Sequence, residues 1–226
     1  MARQTVRFCF DYLSPYAYFA SLRMREICER HGAELVWHPV LFAGLLDHWG
    51  QRGPAEIMPK AMYTFRDSVR YAREHQIPFR SPRFHPFRPL EALRLSLTEV
   101  SGDDQALVIR TLYAHGWGKG GDMGSADELA GALDAAGLPG GELLERTRSD
   151  EAKQALRRGT EDAVSRGVFG IPTMLVGDEL FWGNDSLRYV ERHLEGRDPI
   201  DGVDMQELLS EGRGAWRPAA GSPWER

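Results

Sequence analysis

Apolar and polar positions change period twice along the chain. Val6, Phe8, Cys9, Phe10 and Tyr12 form a short apolar run of the kind a buried strand carries. The run stops at Leu13-Ser14-Pro15, and beyond it Tyr16, Phe19, Ala20, Met24, Ile27 and Cys28 recur at near-helical spacing. Ser14 stands where an N-cap belongs, and Pro15 takes the first helical position, where a missing N–H costs nothing. Arg30 and His31 complement the negative end of this predicted helix, and Gly32 closes it. Residues 34–40 read as a second strand, so the chain opens with a β-α-β unit expected to be parallel and right-handed. Residues 41–53 predict a loop or short helix whose apolar positions are Phe42, Leu45, Leu46 and Trp49.

From residue 54 to about 166 the strand period is absent. Met62, Phe65, Val69 and Ala72 share one helical face that ends before Pro78. Residues 81–89 hold too many prolines for a regular element and predict an ordered extended crossing that delivers Phe84 and Phe87 to the core. Helices are expected over 90–100, 105–115, 125–136, 141–147 and 150–166, the last weakened at Gly159. The glycine-rich stretch 116–124 predicts a loop. It lacks the preceding strand and the spacing of a phosphate-binding loop. The strand period returns at 173–176 and 180–182, around a turn at Gly177-Asp178, and a helix over 186–194 follows.

The predicted order is therefore β-α-β, a helical block, and α-β-β-α. It divides the chain into one α/β domain formed by residues 5–42 and 150–195, a helical insertion at 43–149, and a C-terminal extension at 197–226. That extension is rich in glycine and proline apart from Met205-Gln206-Glu207-Leu208-Leu209, and is expected to be poorly ordered unless it docks elsewhere.

A length of 226 residues suffices for one core with an insertion, and 42% apolar residues predict a folded chain. The net charge of −5 argues against a dedicated nucleic-acid surface. No apolar run reaches the length of a membrane span, and the first residues carry no secretory pattern, so a cytoplasmic protein is expected. Cys9 and Cys28 form neither a Cys-x-x-Cys nor part of a metal-ligand cluster, and no metal is expected. They read as buried reduced thiols, with a disulfide between them left open by sequence.

Two stretches carry candidate chemistry. Ser14-Pro15 holds a hydroxyl over a helix N-terminus at a strand tip; taken alone, such a pair is a helix cap. Far along the chain, Gly170-Ile171-Pro172-Thr173 places a proline at the mouth of a strand, a position compatible with a cis bond. With Phe181-Trp182-Gly183-Asn184-Asp185, these motifs run in order across residues 5–195 and resemble the thioredoxin superfamily. The closer resemblance is to its kappa-class glutathione transferases and 2-hydroxychromene-2-carboxylate isomerases. In redox members a Cys-Pro-x-Cys stands where this chain has Ser14-Pro15-Tyr16-Ala17. Both sulfurs are replaced, which disfavours a redox oxidoreductase.

The resemblance implies a thioredoxin-like α/β core interrupted by an all-helical insertion, glutathione as cofactor, and a homodimer. Ser14 becomes a hydrogen-bond donor to the glutathione thiolate, aided by the helix N-terminus, and lowers a thiol pKa of ~8.5 in free cysteine. A serine-hydrolase reading fails for lack of a nucleophile elbow and a placed His and acid. Ile171, beside Pro172, is expected to pair with the extended tripeptide through its backbone. Trp182, Gly183, Asn184 and Asp185 are implied to hold the γ-glutamyl end, with Asp185 facing the ammonium; capping of the last helix by Asn184 or Asp185 is an equal reading. The resembling families commonly carry a basic residue where Ser186 stands. The implied reaction converts 2-hydroxychromene-2-carboxylate to a trans-benzylidenepyruvate in aromatic degradation. Arg52 and Lys60 are candidates for the small aromatic substrate's carboxylate and Phe42 and Trp49 for its ring, each also readable as a solvated charge or a core residue. A kappa-type transferase and a non-catalytic thiol-binding or peptide-binding module remain the alternatives.

Overall fold

The computed structural model describes residues 3–207. Its organising strand is β1 (Thr5–Phe10), which is buried on both faces. Val6, Phe8 and Phe10 point into the larger core with helix α1 (Pro15–Arg30) and much of the helical block. Cys9 points to the other face, among Val40, Leu45, Ala163, Val168, Ile171 and Leu175. The sheet has the order β2-β1-β3-β4. Strand β2 (Glu34–Pro39) runs parallel to β1, with Phe8 opposite Trp37. Strand β3 (Thr173–Val176) runs antiparallel to β1, with Cys9 opposite Thr173, and β4 (Glu179–Trp182) runs antiparallel to β3. The α/β architecture and the predicted order of elements are thus observed.

Between β2 and the long helix α9 (Asp150–Ser165) the described chain contains helices and loops but no strand. Helices α2 (Phe42–Trp49), α3 (Met58–Glu74), α4 (Leu90–Leu95), α5 (Thr98–Ser101), α6 (Gln105–Tyr113), α7 (Ala126–Asp134) and α8 (Gly140–Arg146) fill it. One continuous core cluster reaches from Phe8 and Phe19 to Leu93, Leu129 and Leu156, so the helical block shares its interior with the sheet. Helix α9 is fastened to the sheet by Arg7 Nη1, which donates to Asp162 Oδ2 at 2.6 Å, and by His38 Nε2, which donates to the Gly159 carbonyl at 2.8 Å. Helix α10 (Leu187–Leu194) closes the described fold beside α1. Among the described residues, no helix is long and apolar enough to cross a membrane.

Local departures from the sequence reading have physical causes. The helix expected over 90–100 breaks at Ser96-Leu97. Ser96 Oγ donates back to Ala92 O at 2.8 Å and lies 2.6 Å from the Tyr12 hydroxyl, while Gln105 takes the Ser96 carbonyl at 2.8 Å. Residues 114–118, expected to belong partly to a loop, form a π-helical turn. The wider turn buries Trp117, whose indole N–H donates to Tyr12 O at 2.8 Å and whose ring stacks on Phe79 at 5.6 Å. Helix α3 buries Ser68 and Ala72, with Phe65 partly buried, and leaves Met62 and Val69 exposed; the buried stripe is rotated from the apolar one. Phe87 reaches the core, but Phe84 does not: it is 74% exposed at the tip of the crossing, with φ of 60°. Cys9 and Cys28 are free and buried, and burial pushes their thiols up to about 12 and about 11. Of the short amphipathic piece near the C-terminus, residues 205–207 are helical and residues 208 and 209 lie outside the described residues, as do residues 210–226.

Candidate active site

The end of β1 sets the position of everything that follows. Ser14 keeps extended backbone angles (φ −98°, ψ 119°) and its Oγ accepts the Ala17 N–H at 3.2 Å, with Pro15 in the first turn. The cap therefore exists, and Oγ spends its acceptor side on the helix. Its O–H hydrogen has no acceptor among the described residues and is available to donate outward over the positive helix end.

The β1–β3 register brings the start of β3 to the same sheet end as Ser14, because Cys9 lies opposite Thr173. The Ile171–Pro172 bond just before β3 is cis. The Pro172 carbonyl accepts the Gly183 N–H at 2.9 Å, which fixes the chain leaving β4 against the proline. Gly183 has φ of 92° and ψ of 158°, a conformation open essentially to glycine alone, and a Cβ there would meet Asp185 Oδ1 at 2.5 Å. Residues 184–186 form a 3₁₀ turn that contacts α1. Neither Asn184 nor Asp185 caps α10, whose N-cap position is Ser186 with its hydroxyl donated to Trp182 O at 2.5 Å. Asn184 is buried, and its Oδ1 has no hydrogen-bond partner among the described residues. Trp182 is 53% exposed; its ring lies over Gly170, whose Cβ would meet the indole nitrogen at 2.6 Å, and meets Phe169 edge-on at 5.1 Å.

Several residues absent from the sequence reading of the site turn up around it. Asp11 is fully buried three residues before Ser14. Its Oδ1 accepts the Leu13 N–H at 3.0 Å and its Oδ2 accepts the Phe42 N–H at 2.9 Å, so one carboxylate joins the turn before α1 to the start of α2. Burial pushes its pKa up to about 7 against the lowering effect of those amides. Tyr16 donates its hydroxyl to Asp67 Oδ2 at 2.8 Å, and burial first, then Asp67, raises its pKa, with smaller contributions from Tyr63 and Asp185. His85 Nε2 donates to Leu13 O at 3.0 Å, and burial lowers its pKa. An acid in a run of aromatics and a carboxylate on a polar helix face give no periodic signal.

The four substrate candidates fall in different places. Phe42 packs against the cluster that contains Ile171. Trp49 donates its indole N–H to Val168 O at 3.0 Å, so it buttresses the segment leading to Pro172. Arg52 is exposed and held to Glu56, donating to its carbonyl at 3.2 Å. Lys60 is exposed on α3, seven residues before Asp67 and hence on the same helix face, about 10 Å along the axis.

This geometry can be set beside known proteins. The DsbA-like thioredoxin domain matches residues 5–195. A 2-hydroxychromene-2-carboxylate isomerase of Sphingobium xenophagum is 31% identical over 194 residues, covering 84% of this chain and 98% of the relative. Glutathione S-transferase kappa 2 of Caenorhabditis elegans is 30% identical over 83% of this chain and 90% of its own length. A solved 2-hydroxychromene-2-carboxylate isomerase shares the fold with a TM-score of 0.77 at 24% identity, covering 88% of this chain and all of that one. The chain belongs to the DsbA-like thioredoxin family, in the group that holds the 2-hydroxychromene-2-carboxylate isomerases and the kappa-class glutathione transferases.

Proposed function

We propose that this protein is a glutathione-dependent isomerase acting on 2-hydroxychromene-2-carboxylate or a closely similar aromatic carboxylate. The observation that carries the proposal is Ser14: its Oγ caps α1 while its hydrogen is left to donate over the helix end, in a site whose redox cysteine positions are Ser and Ala. That arrangement suits an incoming thiolate and offers no thiol of its own. Similarity to relatives named as isomerases supports the choice of reaction.

In this reading the Ile171 backbone, beside Pro172 at the mouth of β3, would pair with the backbone of glutathione. Its γ-glutamyl ammonium meets Asp185, and the buried Asn184 Oδ1 accepts a further N–H. Trp182 and Gly183 wall that end. Bound there, glutathione would supply a thiolate able to add reversibly to a conjugated, ring-opened substrate and so allow its cis–trans change without being consumed, while the Ser14 O–H and the N-terminus of α1 would hold that sulfur as the thiolate. Holding thiolate and acceptor together can supply ~7–11 kcal/mol toward the barrier in well-oriented cases. Lys60 is the candidate for the substrate carboxylate, Arg52 the less available one because Glu56 holds it, and Phe42 and Trp49 form the apolar side. The proposal includes a cytoplasmic homodimer, which sedimentation would test.

Turnover of 2-hydroxychromene-2-carboxylate with and without glutathione is the direct assay. Glutathione-dependent formation of trans-benzylidenepyruvate, with no net consumption of glutathione, is the expected result. The kappa-class relatives support a second reading, in which glutathione is joined permanently to an electrophile. Stoichiometric loss of free thiol during turnover would favour that one.

A further inference from the structure

A groove of about 670 Å³ lies between α2, α4 and α9. It is separated from the site above by α2 itself. Phe42 and Leu45 of that helix face the cluster with Ile171, and Trp49 bonds to Val168, whereas Leu41, Gly44 and His48 line the groove. The volume falls in the range of small-molecule sites. Its apolar lining comes from Leu41, Leu90, Leu156 and Val164.

The charges around it are not equivalent. Arg157 is held by Glu161 at 2.8 Å and Lys153 by Asp150 at 2.9 Å, while Asp47 and His48 are exposed at the rim. Arg94 differs from all of these. It rises from α4 into the groove, is only partly exposed, and its Nε–H is buried with no hydrogen-bond partner among the described residues. A buried guanidinium N–H without an acceptor is uncommon in a finished fold, since such groups are normally paired. Apolar walls with one unpaired planar cation match a ligand that has a hydrocarbon body and one carboxylate, the anion geometry that a guanidinium fork accepts best.

We infer that the groove between α2, α4 and α9 binds a small carboxylate with a hydrocarbon body, with Arg94 as its anion ligand, independently of the thiol site. The site goes beyond the proposed isomerisation and does not depend on it.

The test uses the full chain and 1-naphthoate as probe, followed by calorimetry and by methyl NMR of labelled Leu and Val. One equivalent is expected to bind, shifting the methyls of Leu41, Leu90, Leu156 and Val164, with no competition from glutathione. Arg94→Met, which keeps the aliphatic stem, should weaken binding at least tenfold, and neutral 1-naphthalenemethanol should bind the wild type at least tenfold more weakly than naphthoate. The last comparison stands even if the variant fails to fold. Absence of saturable binding, equal affinity for acid and alcohol, an unchanged Arg94→Met, or displacement by glutathione would each overturn the inference.

Discussion

Asp11 and Ser14 lie three residues apart and handle charge in opposite ways. The Asp11 carboxylate is buried, and the proton it retains up to a pKa of about 7 stabilises the folded state. Its folded pKa lies above the ordinary 3.8, so the native chain binds more protons than the unfolded one between those values. Stability from this group is therefore fully present below about pH 4 and is lost as pH rises through about 7, with a slope of at most ~1.4 kcal/mol per pH unit. Urea unfolding between pH 5 and 8 should show that fall in the wild type and a flatter profile in Asp11→Asn; parallel profiles would show that Asp11 does not titrate there. Gly183 supplies a second residue-level test. Gly183→Ala puts a methyl into a glycine-only conformation 2.5 Å from Asp185 Oδ1. It should cost ~1–3 kcal/mol at that turn and weaken glutathione binding while α1 and its cap stay intact. Calorimetric titration with glutathione checks this, and unchanged affinity would remove Asp185 from the cofactor site.

At the scale of elements, α9 shows how a residue poor for its own helix is tolerated by its neighbour. Gly159 lies mid-helix where α9 passes over the end of β2, and its carbonyl accepts the His38 Nε2 hydrogen bond. A Cβ there would sit 3.5 Å from Pro39 O and 3.6 Å from the His38 ring, ordinary contact distances. Gly159→Ala should therefore gain up to ~1 kcal/mol of helix propensity without displacing β2. A rise in melting temperature would agree; a fall would mean that the helix and strand approach more closely than these distances. The strands and the outer helices were legible from apolar period alone, because β1 is buried on both faces and α1 carries its own cap and terminator. The interior of the helical block was less so. Ser96 ends α4 through a side-chain bond to Ala92 and a contact with Tyr12, eighty-four residues away in sequence, which no local pattern encodes. The site divides in the same way. Ser14, Pro172 and Gly183 announce themselves through special backbone demands. Asp11, Asp67 and Arg94 matter only through what the fold brings against them.

For the molecule as a whole, a thioredoxin-type sheet end keeps the helix N-terminus and the cis-proline, with Ser14 and Ala17 where redox members carry cysteines. If the reaction runs on the thiol of glutathione, as proposed, turnover should be unchanged by a chelator and by mild reductant. Loss of activity with a chelator, restored by a divalent ion, would reject that mechanism. The most direct test of the central claim is the pH dependence of thiolate absorbance in the glutathione complex, measured for the wild type and Ser14→Ala alongside turnover. Removing a charge-assisted hydrogen bond of ~1.5–3 kcal/mol should raise the bound thiol's pKa by about 1–2 and abolish most turnover near neutral pH, in a protein that remains folded. A shared thiol pKa and a shared rate in the two proteins would contradict the account and leave Ser14 as a helix cap alone.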